Sequence, residues 1–205
     1  MMTGMEKYLQ PSYTIDSDEP SIKKKATELT RGKQTDTEKA KAAFYFVRDS
    51  IKYNPYGGIA PLEEYKASAT LKRGNGYCVQ KAVLLATLAR AAGIPTRLGF
   101  VNVRNHLLPQ DILDGLSGDN VMKYHGYALL YLNGKWVKAT PSFDINLCRE
   151  HNFIPVEFDG TQDAIFHRCN QEGKLHMEYV HNHGIYDEVP WEEILASRDW
   201  MRKEK

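Results

Sequence analysis

Long apolar runs are missing from this 205-residue sequence. No stretch approaches the roughly 20 consecutive apolar residues that a bilayer span requires, and Met1 to Gln10 holds no apolar segment preceded by positive charge. A cytoplasmic protein is therefore expected. A charge surplus is missing too: 27 basic and 26 acidic side chains leave a formal charge of +1, so the net field recruits neither nucleic acid nor an anionic membrane. Lys23-Lys24-Lys25 reads as a solvated face. Cysteine is scarce. Three residues, an odd number without paired spacing, make no disulfide framework, and a reducing compartment would keep them as thiols. Internal repeats and low-complexity blocks are absent as well. With 42% hydrophobic and 26% charged residues, the chain reads as one domain over 1–205, able to bury a core without staples. Its core spans about 36–145, with an arm over 1–35 and an extension over 146–205.

What is present organises itself around one helix. In the arm, Ile22 to Leu29 suits a short helix. Thr35-Asp36-Thr37-Glu38 is a helix start, and Ala40, Ala43, Phe44, Val47 and Ile51 follow at helical spacing, predicting a helix from about Thr37 to Lys52. Asn54-Pro55-Tyr56-Gly57-Gly58 then opens an expected loop of about 20 residues that ends at Gly74-Asn75-Gly76. From Cys78 to Ala92 apolar residues are so dense that most of the helix circumference must be buried, and Gly93-Ile94-Pro95 stops it. Thr96 to Val103 reads as a strand, and Asn105 to Asn120 as a polar excursion. Tyr124–Leu132 and Lys135–Thr140 flank Asn133-Gly134, a strong hairpin signal. Short strands are expected over Ile154–Phe158 and Met177–Val180, and a last helix over Trp191–Met201. This order predicts an α+β fold with an antiparallel sheet packed on the central helix.

Cys78 opens that buried helix, directly after Gly74-Asn75-Gly76-Tyr77. Free N–H groups and the positive end of the helix dipole favour thiolate there, and thiolate is the nucleophilic form. The glycines allow close approach of a substrate, and the Cys78 N–H suits an oxyanion hole. Position alone fits a packing cysteine equally well. His125 adds the second element of a nucleophile–base pair, at the start of a hairpin strand beside the central helix. With a two-residue loop, paired positions sum to 267, which sets His125 opposite Ser142 with Thr140 and Asp144 as diagonal neighbours. Each of the three is able to orient an imidazole, and Pro141 stands where the ladder is easily broken.

The run Gly76-Tyr77-Cys78-Val79-Gln80-Lys81-Ala82, followed by Leu88-Ala89-Arg90-Ala91-Ala92-Gly93-Ile94-Pro95-Thr96-Arg97, resembles the core motif of transglutaminase-like proteins. A second block, His125 through Asn133-Gly134 to Trp136 and Val137, is similar to that family's histidine strand, and the likeness extends from about Ala40 to Asp144. The resemblance implies a papain-like fold and a Cys-His-Asp triad. One position departs: the family's aspartate, directly before the proline, is Thr140 here. A threonine hydroxyl accepts a ring N–H but carries no charge to stabilise imidazolium. Asp144 and Thr140 are therefore both candidates for the third catalytic position beside Cys78 and His125.

Such a pair would attack a carboxamide or peptide carbonyl of a peptide or protein substrate through a thioester acyl-enzyme, without any cofactor. Calcium loops of the Asp-x-Asp-x-Asp-Gly type are absent, which favours hydrolysis by a peptidase or amidase over acyl transfer between proteins. A silent peptide-binding module is the alternative. Cys148, His151, His167, Cys169, His176, His181 and His183 crowd the last third, but their spacing lacks paired knuckles or a His-x(3–5)-His arm, so no metal site is expected. Tyr53, Tyr56 and Tyr65 suit either a substrate groove or core packing, and Trp136 the core.

Overall fold

The computed structural model describes residues 4–108, 113 and 120–197. The arm carries a 3-10 turn, Glu6–Leu9, and helix α1, Pro20–Thr30. Helix α2, Asp36–Ser50, starts on a reciprocal cap in which Thr35 accepts the Glu38 N–H while the Glu38 carboxylate accepts the Thr35 N–H. Its buried stripe is Ala40, Ala43, Phe44 and Val47, at the spacing read from the sequence.

The expected long loop is largely helical. Strand β1, Lys52–Tyr53, leads to 3-10 turns over Pro55–Ile59 and Leu62–Tyr65 and to helix α3, Ala67–Arg73, before strand β2, Asn75–Gly76. Residues 54–58 look like punctuation, yet Asn54 caps the first turn by accepting the Tyr56 N–H and Pro55 fits a turn's first position. Gly74 ends α3 at φ 72, the left-handed cap that glycine adopts without strain.

Helix α4, Cys78–Ala91, is buried at every residue from Cys78 to Arg90. Its polar side chains are satisfied internally, as burial demands. Lys81 Nζ donates to the carbonyls of Arg48 at 3.0 Å and Ile51 at 2.6 Å, and Arg90 donates to Thr96 and to the Gln10 carbonyl. Strands β3 (Thr96–Asn105), β4 (Val121–Leu132), β5 (Lys135–Ala139) and β6 (Met177–Tyr186) form one antiparallel sheet in the order β5-β4-β3-β6. The β4–β5 turn has φ 51 at Asn133 and 82 at Gly134, the geometry that selects Asn-Gly. Pairs from Ala128–Ala139 to Leu132–Lys135 keep the predicted register.

The sheet packs on α4 through its α4-facing side, where a Cβ on Gly126 would stand 3.0 Å from the Val79 Cα. The fold is thus the expected α+β arrangement, an antiparallel sheet against a central helix that carries Cys78 at its N-terminus. After β5 come helix α5, Ile145–Glu150, then β6, and helix α6, Trp191–Ala196. Residues 154–158 form no strand, and β6 runs six residues beyond the expected Val180. Most of the Asn105–Asn120 excursion and the expected end of the last helix at Met201 lie outside the described residues. Among those described, no helix is long and apolar enough to cross a membrane.

Candidate active site

Cys78 is the first residue of α4 and 4% exposed. The turn before it is held by Gln80, whose Oε1 accepts the Tyr77 N–H at 3.1 Å and whose Nε2 donates to the Glu64 carbonyl at 3.1 Å. That reach depends on glycine: a Cβ on Gly57 would lie 2.7 Å from Gln80 Oε1, and one on Gly76 would lie 3.0 Å from Gln80 Cβ. Gly76 pairs in parallel with Tyr53, which brings β1 alongside the cysteine. Burial, reinforced by the Cys78 charge, holds the Tyr53 phenol well above its ordinary range. Of the three loop tyrosines, Tyr65 is fully buried against Tyr77 and Trp191, Tyr53 packs edge-on against Phe143, and Tyr56 is exposed. Trp136 is only partly buried, between Tyr8 and Tyr131.

His125 lies on β4 opposite Val101 and next to Gly126, so its backbone runs within one residue of the contact with Val79. The imidazole is 0% exposed, its ring centre 4.8 Å from that of Phe166. Neither ring nitrogen has a hydrogen-bond partner among the described residues. Burial alone lowers its pKa to about 3, so the ring is neutral at physiological pH.

The two candidates for the third position sit differently. The Asp144 carboxylate caps α5, Oδ1 accepting the N–H groups of Asn146 at 3.1 Å and Leu147 at 3.0 Å, while Oδ2 accepts the Tyr53 N–H at 3.0 Å. Asp144 is thereby tied to the strand beside Cys78, and no hydrogen bond joins it to His125. Thr140 leaves the hairpin ladder, its N–H donating to the Ala164 carbonyl at 2.9 Å. The pairing of β4 with β5 therefore ends at Ala128–Ala139, and the expected pairing of His125 with Ser142 does not form. The hydroxyls of Thr140 and Ser142 are buried without hydrogen-bond partners among the described residues, as are the His125 nitrogens and His176 Nε2. The two histidines flank one aromatic cluster of Phe143, Phe153 and Phe166, His125 against Phe166 and His176 stacked 3.9 Å from Phe153.

Two side chains at this site escaped the sequence reading. Lys81 had a legible signal, a lysine inside the otherwise apolar run that must be buried. Phe166 had none, lying in a segment without periodicity. Cys148 is buried, which pushes its thiol up to about 11. Among the described residues no group of three or more His, Cys, Asp or Glu is placed to hold a metal ion.

A cysteine at the head of a buried helix, packed on an antiparallel sheet that carries a histidine, is the architecture of the papain-like class. The chain belongs to the transglutaminase-like superfamily, whose family model matches residues 23–141. No curated protein matches the sequence. Similar solved structures include a candidate cysteine protease from Cytophaga hutchinsonii, 20% identical with a TM-score of 0.52, the match covering 68% of this chain and 43% of that one. Another is the periplasmic domain of TgpA from Pseudomonas aeruginosa, 18% identical with a TM-score of 0.45, covering 65% of this chain and 45% of that domain. The chain thus spans less than half the length of either.

Proposed function

We propose that this protein is a cytoplasmic cysteine hydrolase of amide bonds in peptides or proteins, with Cys78 as nucleophile and His125 as base, needing no cofactor. The observation that carries the reading is the juncture of α4 and β4, where Val79 and Gly126 meet and the residues before them are Cys78 and His125. His125 in its neutral form takes the thiol proton as sulfur attacks the carbonyl carbon. It then returns that proton to the departing amine as the C–N bond breaks and the thioester remains. Water, deprotonated by the same imidazole, releases the acid and restores the thiol. Either Asp144 or Thr140 would steady the ring, although neither is hydrogen-bonded to it here.

A second reading, a silent peptide-binding module, draws on the burial of His125 and on the use of Asp144 as a helix cap. Incubation with a peptide library, with and without a primary amine, separates the possibilities. Mass spectrometry should find an acyl adduct on Cys78, lost in Cys78→Ala, with acids as products even when amine is present. Amine-coupled products would indicate acyl transfer, and no adduct with no turnover would favour the silent module.

A further inference from the structure

The residue that precedes His125 has a backbone conformation that aromatic residues rarely adopt. Tyr124 has φ 52, in the left-handed region, where a non-glycine residue stays only if its surroundings insist on it. Those surroundings are specific. The Tyr124 N–H donates to Asn102 Oδ1 at 3.1 Å, its ring stacks on His183 with centres 3.8 Å apart, and its hydroxyl donates to Glu193 at 3.0 Å.

Asn102 stands among three irregularities in the sheet. Val101 pairs with His125 and Val103 with Met122, so β4 holds one extra residue opposite Asn102. On the other side Phe100 pairs with Gly184 and Val101 with Asn182, which makes His183 an extra residue of β6, and Asn102 pairs with His181 and Val103 with Tyr179, which makes Val180 another. Two of the bulged residues, Tyr124 and His183, stack on each other, and Asn102 Oδ1 meets both, lying 2.7 Å from His183 Nε2. Because a backbone N–H only donates, the Asn102 atom facing Tyr124 is the carbonyl oxygen. His183 must then carry its proton on Nε2.

Bulges re-aim side chains, and a one-residue change of register turns every later side chain to the other face of a sheet. The residue whose direction this bulge sets next is His125. We propose that Asn102, Tyr124 and His183 form a positioning clamp that fixes the direction of the His125 imidazole. The inference rests on His125 being the base, and it adds three residues that act through it rather than on substrate.

The test measures Cys78 alkylation by iodoacetamide from pH 5 to 9, read on the Cys78 peptide by mass spectrometry, in Asn102→Ala, Tyr124→Ala, Tyr124→Gly and His125→Ala, with folding checked by circular dichroism. Tyr124→Ala and Tyr124→Gly both lose the ring, but only glycine takes the left-handed angle freely. Misplacing a reacting group by an ångström lowers rates by up to about a hundredfold. Asn102→Ala and Tyr124→Ala should therefore slow Cys78 alkylation at neutral pH by about tenfold and move the inflection of its pH profile, while Tyr124→Gly stays within about threefold of the parent. The clamp is overturned if Tyr124→Gly falls as far as Tyr124→Ala, or if Asn102→Ala keeps the parent profile. If Asn102→Ala does not fold, the Tyr124 pair decides. An unchanged profile in His125→Ala removes base and clamp together, whereas a changed profile there with an unchanged one in Asn102→Ala removes the clamp alone.

Discussion

Lys81 lies one helical turn beyond Cys78 with 0% exposure, and its ammonium spans the end of α2 by bonding two carbonyls. Burial lowers its pKa to about 7, against an opposing pull from Asp144 and Asp49. An unfolded chain holds this proton up to about pH 10.5, so between pH 7 and 10.5 the unfolded state binds the extra proton and stability rises with pH. The gain is on the order of a few kcal/mol because no solvent screens the group. Thermal melts should show the parent gaining stability from pH 7 to 10 relative to Lys81→Met, which lacks the titration. Parallel curves for the two proteins would refute the assignment. At the residue scale the places of Cys78, at the head of α4, and of His125, on β4, could be read from local signals in the sequence. The burial of Lys81 could be read as well but not its partners, because what a buried lysine binds is decided by the end of another helix about 30 residues away.

Among elements, α2, α4 and the β4–β5 hairpin followed their sequence signals because each signal is local: a capping box, a continuous apolar circumference, an Asn-Gly turn. Strand β6 gave a weaker signal, since it lies at the sheet edge with most residues exposed on both faces and therefore has no alternation to read. Helix α5 shows how an element connects to the site. Its cap Asp144 also holds the Tyr53 N–H, so one carboxylate fixes both the start of α5 and the strand beside Cys78. Asp144→Ala removes a helix cap, worth about 1 kcal/mol, and strands the Tyr53 N–H, for a total loss of about 2 kcal/mol in urea unfolding. Asp144→Asn keeps one acceptor oxygen and should lose less. If Asp144 serves only as a cap, the pH profile of Cys78 alkylation stays in place in both variants while stability drops. A displaced profile at full folding would instead give Asp144 the third catalytic position.

At the scale of the whole molecule, the extension beyond residue 146 is part of the structure that encloses His125. It supplies one edge strand of the sheet, and its Phe166 packs on His125 and on Phe143, which in turn packs with Phe153, where His176 stacks. The start of that strand was readable at Met177–Val180, but the packing of the segment 151–176 was not, because it is held by contacts remote in sequence rather than by a repeating pattern. The enclosure has a consequence in acid. Burial lowers His125 to about 3 and His176 to about 4, while both would titrate near 6.5 in an unfolded chain. Between those values the unfolded state binds more protons than the folded one, so the histidines' contribution to stability is constant above about pH 6.5 and declines as pH falls toward 4. The two groups together contribute a loss on the order of several kcal/mol. Urea midpoints measured from pH 7.5 to 4 should fall steeply below pH 6.5. In His176→Phe, which keeps a ring between Phe143 and Phe153, the slope should be shallower, and combining it with His125→Phe should flatten the curve further. An acid slope that both variants retain unchanged would mean that the histidines gain protons without leaving their enclosure, and the C-terminal segment would then not be what keeps His125 neutral.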